Sequence, residues 1–332
     1  MSTAHFDLDC VKYAVSSVGE KREVRVIHRS SGREIIVPTR TDWYGHWKKK
    51  EGGKLAEINK GRDSPFTWDE FDYEDIQTQK EPIANVLHSA KMKVEGAIKA
   101  SGAGDCKFYI GSGESFRVER STLLEYKGNR KDQLKPLLID EVTEYLSRKY
   151  KAEVVKGYEV DDVVVMNSYG KSNHFIIGED KDFYGTGSNF FNLNKQEEGI
   201  VDTRGFGSLW LDEGGKVRGK GMIFKLLQAC SEDNSDNYSA NCYSKVRWGE
   251  KSAFNALSKA KNPAEAFKIA KDIFKKLYPE KEKVIGWKGD EIEIDWLYVF
   301  QECLDMCHLH RWENDFIPLE EVLSKLNIGI GD

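Results

Sequence analysis

Residues 153–182 read EVVKGYEVDDVVVMNSYGKSNHFIIGEDKD. The run 153–156 has the β-branched content of a short strand, the spacing from Val160 to Tyr169 predicts a helix, and the run 174–177 is a second apolar strand. Strand, helix and strand in so short a span form a βαβ unit, whose two strands run parallel. Ligands of a parallel sheet gather beyond the carboxyl ends of its strands. Acids stand at both such ends here: Glu159, Asp161 and Asp162 after the first strand, Asp180 and Asp182 after the second.

The same alternation extends outward. A strand-like start from Thr3 ends in Asp7 and Asp9. The spacing of Ile83, Val86, Leu87, Val94, Ala97 and Ile98 predicts a helix over 82–100, which Gly102 and Gly104 end. A strand over 107–110 and a helix over 136–150 follow, then a hairpin over 209–217 turning at Glu213-Gly214-Gly215 and a helix over 222–230. Residues 23–37 read as a β-hairpin turning at Ser30, Ser31 and Gly32, whereas 38–80 show no period and stay unassigned. The chain from about Ser239 to Tyr278 reads as helical and basic, with a last amphipathic helix near 296–308. The expectation is an α/β fold: a mostly parallel central sheet flanked by helices in residues 1–230, with the hairpin inserted near 23–37, and a helical region in 231–332.

At 332 residues the chain can bury a full core, and 39% hydrophobic with 32% charged residues excludes a disordered or fibrous class. No apolar run approaches the roughly 18 residues of a bilayer helix, so no membrane partner is expected. Met1–Cys10 lacks the basic-then-apolar pattern of a secretory segment, and the six scattered cysteines include no CxxC, so a reducing, cytoplasmic location is expected. The net charge of −5 is unevenly sorted: residues 117–135 carry +3 and residues 245–288 carry +7, leaving −15 elsewhere. Such sorting lets a basic surface meet phosphates beside a concentrated acidic pocket. Carboxylates gathered in that number need cations, and hard oxygen ligands suit Mg²⁺ or Mn²⁺, with two ions the arrangement expected for phosphodiester hydrolysis.

At this point several strings resemble one family in order. Phe116-Arg117, Leu124-Glu125-Tyr126-Lys127-Gly128-Asn129-Arg130, Gly157-Tyr158-Glu159-Val160-Asp161-Asp162, Asp180-Lys181-Asp182 and Asp233-Asn234-Ser235-Asp236-Asn237 look like the motifs of the 5′ nucleases. These are the flap endonucleases and 5′→3′ exonucleases, including those of bacteriophages. The resemblance covers residues 1 to about 260 and implies a PIN-like catalytic fold, a DNA partner, and a role in replication or recombination in a phage-infected bacterial cell. It implies metal binding by Asp7, Glu159, Asp161, Asp162, Asp180, Asp182, Asp233 and Asp236, with Asp161 and Asp182 also catalytic. It implies that Lys127 and Arg130 act on the scissile phosphate, that Tyr126 stacks on a base, and that Arg117, Lys131 and Lys251 contact DNA. Trp248-Gly249-Glu250-Lys251-Ser252-Ala253 resembles the second hairpin of the family's helix-three-turn-helix, which implies a duplex grip and a monovalent cation there.

The chain departs from the family pattern in three places. Ser112 takes the place of an acid usual before Phe116-Arg117, with Glu114 nearby; Glu232 replaces a usual glycine; and the stretch between Arg130 and Glu159 is short for an arch that threads a free 5′ end, so a truncated arch is expected. Ser112 and the short arch motivate one alternative, a DNA-binding or adaptor protein that has lost cleavage; a second alternative is a nuclease of the same fold directed at RNA:DNA hybrids.

Three weaker signals are read as structural. Residues 214–221, GGKVRGKG, lack the Ser/Thr of a phosphate-binding loop. Cys303, Cys307 and His310 lie at helical spacing and are expected on a core stripe rather than around zinc. Lys48, Lys49 and Lys50 read as a solvated loop, with Trp43, Tyr44 and Trp47 beside them suited to stacking.

Overall fold

A computed structural model describes residues 1–46 and 51–331; Trp47, Lys48, Lys49 and Lys50 lie outside the described residues. The chain divides into two compact units: Met1–Val11, Met92–Leu134 and Leu146–Asp332 form the first, and Lys12–Lys91 with Lys135–Tyr145 the second. This division differs from a boundary at 230, because the helices beyond that position share a unit with the central sheet.

The first unit contains a six-stranded sheet: β1 (Thr3–Asp7), β2 (Asp105–Gly111), β3 (Glu153–Val155), β4 (His174–Gly178), β5 (Asn189–Asn192) and β6 (Ile200–Asp202). The order is β6-β5-β4-β1-β2-β3, all pairs parallel except β5 with β6. The chain therefore runs from β1 outward through β2 to β3, then returns to place β4 on the other side of β1. In β4, His-Phe-Ile-Ile-Gly is buried from Phe175 onward, the continuous apolar run expected of a strand covered on both faces.

Helices alternate with these strands along the chain: α1 (Leu8–Val18), α2 (Ile83–Ser101), α3 (Ile139–Tyr150) and α4 (Val160–Ser168). Helix α4 packs on β1, β2 and β4. Its Val-Val-Val run is poor in intrinsic helix propensity, but Val164 and Val165 are fully buried with Ile176, Phe183 and Phe190, and that burial decides the conformation.

A helical layer completes the unit: α5 (Met222–Ala229), α6 (Glu250–Leu257), α7 (Pro263–Leu277) and α8 (Trp296–Cys307). Asn262 caps α7 by accepting the Glu265 N–H, and Pro263 follows at the first helical position, where its missing N–H costs nothing. Phe274 of α7 stacks on Phe300 of α8 with centroids 4.5 Å apart. Two features depart from the all-helical expectation beyond Ser239. The chain from 240 to 249 is irregular, and Glu282–Ile285 pairs antiparallel with Glu291–Ile294.

In the second unit the hairpin expected near 23–37 appears as Glu20–His28 with Glu34–Val37. The unassigned segment supplies a third strand, Phe71–Gln79, which pairs antiparallel with Glu20–His28 along nine positions. Trp43 is fully buried here with Val24, Val26, Val37 and Phe71, so it is a core residue and not a stacking platform.

Candidate functional site

The strand order reverses between β1 and β4, and the carboxyl ends of these neighbours carry Asp7 and the Glu179–Asp182 loop. This is the switch point where α/β sheets open a crevice. Short acid-centred turns shape the surrounding loops. Asp7 Oδ1 accepts the Asp9 N–H at 2.8 Å, Asp180 Oδ1 accepts the Asp182 N–H at 2.8 Å, and Asp233 Oδ1 accepts the Ser235 N–H at 2.7 Å.

Electrostatics tie these acids together. Burial, then the charges of Asp7, Asp180 and Glu159, push the Asp161 carboxyl well above the usual carboxylate range. Burial and Asp180, with Asp236 and Asp233 adding to them, do the same to Asp182 despite Lys181. Asp236 is also raised, first by burial, with Lys127 opposing and Glu159 and Asp233 reinforcing. Acids from four separate stretches of chain thus repel one another in one place. Among the described residues Asp161 has no hydrogen-bond or ion-pair partner, whereas the Gln228 amide of α5 donates to Asp182 Oδ1.

Three cations border the cluster. Lys127 Nζ contacts Glu159 Oε1 and lies 3.6 Å from Asp236 Oδ1, Arg130 lies 3.5 Å from the same Asp236 oxygen, and Lys181 holds Asp233 at 2.9 Å. Lys127 sits in the left-handed region at φ 55°. Its N–H donates to Asp236 O at 3.0 Å, and the Asn237 amide donates to Glu125 O at 2.9 Å. The loop bearing Lys127 is therefore fastened to the loop bearing Asp233 and Asp236. Thr122 and Leu123 N–H groups, both donating to Glu302 Oε1, anchor its start.

Three expected site residues, Asp162, Arg117 and Tyr126, are placed otherwise. Asp162 turns away from the cluster: both its oxygens accept from Arg117, at 2.7 and 2.8 Å, and Oδ1 also accepts the His310 N–H. Arg117 is fully buried and uses all five of its N–H donors, the others meeting Glu159 Oε2, Met306 O and His308 O. It has no surface to offer DNA. Tyr126 is buried as well, and its hydroxyl donates to Glu159 Oε2 at 2.7 Å; burial and the Glu159 charge raise its pKa, so it stays a donor and not a base-stacking ring. Lys131 is exposed and paired with Glu125 at 2.6 Å.

Lys251 is exposed in the first turn of α6. Ser112 is exposed, and Glu114 accepts the Gly157 N–H at 3.1 Å. The stretch between Arg130 and Glu159 consists of turns, α3 and β3. Sequence reasoning misses Gln228, although it is a polar residue in the buried run Leu226 to Cys230, the kind of position that requires a partner.

Two of the weaker signals resolve as structural. Val217–Lys220 of GGKVRGKG is a hairpin strand. Cys303, Cys307 and His310 are buried, and His310 packs on Phe116 and Phe316. Among the described residues no group of three or more His, Cys, Asp or Glu side chains is arranged to hold a metal ion as it stands, and no helix is long and apolar enough to cross a membrane. No protein-family model, curated protein or solved structure matches the chain.

Proposed function

We propose that the chain is a divalent-metal-dependent 5′ nuclease that hydrolyses DNA phosphodiesters at or near 5′ ends. The observation that carries this reading is the gathering of Asp7, Asp161, Asp180, Asp182 and Asp236 at the switch point, where the Asp161 side chain forms no ion pair among the described residues and feels the Lys127 charge only at a distance. The donor set is all carboxylate oxygen, which fits Mg²⁺ or Mn²⁺ over softer ions. These five residues would hold the ions, while Glu159 and Asp233 are engaged by lysines. Bound there, such ions supply Lewis-acid polarisation of a phosphate and a water of lowered pKa.

The protein's own groups do the rest. Lys127 and Arg130, on a loop fastened to the acid cluster, present positive charge where a phosphate approaching those acids needs it, and they add charge stabilisation to its transition state. Gln228 fixes the Asp182 carboxylate. The PIN-like fold and the helix-three-turn-helix role of α6 and α7 belong to the same proposal, with Lys251 gripping the DNA backbone without reading sequence.

The test is cleavage of 5′-labelled duplex, flap, single-stranded DNA and RNA:DNA hybrid with Mg²⁺, with Mn²⁺ and with EDTA. The expected result is metal-dependent release of short 5′ products from DNA, lost in Asp161→Asn and Asp182→Asn. Binding of DNA without cleavage under every condition favours the adaptor reading that Ser112 motivates, and cleavage confined to the hybrid favours an RNA-directed enzyme.

A further inference from the structure

Beside the acid cluster lies a groove of about 370 Å³, within the size range of small-ligand sites. It shares Glu179 and Lys181 with the loop that carries Asp180 and Asp182, and it extends to Trp210, Arg218 and Lys220. The hairpin of Ser208–Leu211 and Val217–Lys220 builds this wall. Trp210 pairs with Arg218 and Ser208 with Lys220, so the period-2 alternation of an antiparallel pair puts Trp210, Arg218 and Lys220 on one face.

The opposite face carries Leu209, Val217 and Gly219. An added Cβ at Gly219 would lie 2.5 Å from the Phe224 ring and 2.6 Å from Leu209, so the hairpin is seated tightly on α5. It is a fixed wall.

The groove's charges are mostly internally paired. Arg218 holds Asp212 at 2.9 Å, and Lys195 holds Glu198, which also accepts the Tyr184 hydroxyl at 2.6 Å. Lys181 holds Asp233. Lys220 and Glu250 are the exceptions: among the described residues neither makes an ion pair or side-chain hydrogen bond. Glu179 and Glu250 also line the groove, and Glu179 is taken up by Lys93. Trp210 keeps 43% of its surface exposed.

An accessible indole beside an unpaired ammonium, on a rigid wall continuous with the acid cluster, is the arrangement that receives a nucleotide: the base stacks and the phosphate meets the cation. We infer that this groove seats the single strand that extends from the acid cluster, its base on Trp210 and its phosphate on Lys220. The inference rests on the nuclease reading for the identity of the ligand, and it names a sequence-tolerant single strand rather than duplex.

The experiment is fluorescence anisotropy in EDTA with a blunt DNA duplex and the same duplex bearing a 5′ oligo-dT tail, each alongside a cleavage assay in Mn²⁺. The wild-type protein is expected to bind the tailed duplex more tightly. Trp210→Ala should weaken tailed binding roughly tenfold and Lys220→Ala by severalfold, while Trp210→Phe retains most of it and blunt-duplex affinity stays within about twofold. Tailed binding by Trp210→Ala equal to wild type, in a protein that still cleaves, overturns the groove alone. Trp210-dependent tail binding without any cleavage supports the groove and removes the nuclease reading. A wild-type protein that binds neither duplex overturns both.

Discussion

Arg117 and Asp162 form a two-pronged ion pair, Nη1 to Oδ2 at 2.7 Å and Nη2 to Oδ1 at 2.8 Å, with both side chains fully buried. The same guanidinium reaches the Met306 and His308 carbonyls at the end of α8. The pair therefore joins the first turn of α4 to the helical layer. An Arg and an Asp that look like site residues in the sequence are in the structure the fastening behind the site.

Removing one partner leaves a buried charge unpaired. Arg117→Ala and Asp162→Ala are each expected to destabilise the protein by about 3–5 kcal/mol, read as a lower urea midpoint. A stability loss below about 1 kcal/mol in either variant contradicts this role.

Asp161→Asn should act in the opposite direction. Asp161 is pushed up by burial and by Asp7, Asp180 and Glu159, so a neutral amide relieves repulsion in metal-free protein. In EDTA the variant is expected to be more stable than wild type, on the order of 1 kcal/mol, while cleavage in Mn²⁺ is lost. Equal melting temperatures in EDTA would show that the acids do not share one field.

Lys127→Ala separates chemistry from binding. A group acting on developing charge lowers the single-turnover rate more than the affinity, so the rate should fall about 10²-fold with duplex Kd changed by less than about threefold. An unchanged rate with weakened binding makes Lys127 a simple phosphate contact.

The buried histidines should take stability away in mild acid. Burial first, then the Lys225 ammonium, lowers His308 to about 3, and burial with His174 lowers His5 to about 4. Between the unfolded value near 6.5 and these folded values, the unfolded chain binds protons that the folded chain does not, so stability is lost as pH falls through that window. Arg311 and His308 outweigh burial to hold Asp315 far below its usual range, and this adds a further loss below about pH 4. Protonation of Asp161, Asp182 and Asp236, whose carboxyls are raised, works against this loss, so the histidine contribution is read as the difference between wild type and His308→Gln: from pH 7 to pH 5 the melting temperature of wild type should fall further, or rise less, than that of the variant. Parallel profiles for the two proteins contradict a neutral, buried His308.

The sheet was legible because its strands are short apolar runs punctuated by acids: the strand before Asp7, the βαβ unit of 153–182 and the hairpin before Met222 all occur near their expected positions. Phe71–Gln79 was not, because FDYEDIQTQ is polar and gains its strand form from pairing along Glu20–His28. Glu291–Ile294 alternates charged and apolar residues, but its partner Glu282–Ile285 reads Glu-Lys-Val-Ile without alternation, so the pair is obscured by a basic helical reading of the neighbouring sequence.

At the site, the nearness of distant acids followed from strand-end placement. What did not follow is which side chains turn inward: Asp161 and Asp162 are adjacent, yet the helical step of about 100° sends one to the cluster and the other to Arg117. Likewise Tyr126 and Lys127 are neighbours that reach Glu159 from a buried and a partly exposed position.

Calorimetric titration of Mn²⁺ into wild-type protein, Asp161→Asn and Asp182→Asn tests the shared acidic centre most directly. Saturable binding by wild type, lost or weakened at least tenfold in both variants although one residue lies in α4 and the other in the segment after β4, is the predicted result. Absence of Mn²⁺ binding by wild type, or binding that both substitutions leave intact, would contradict it.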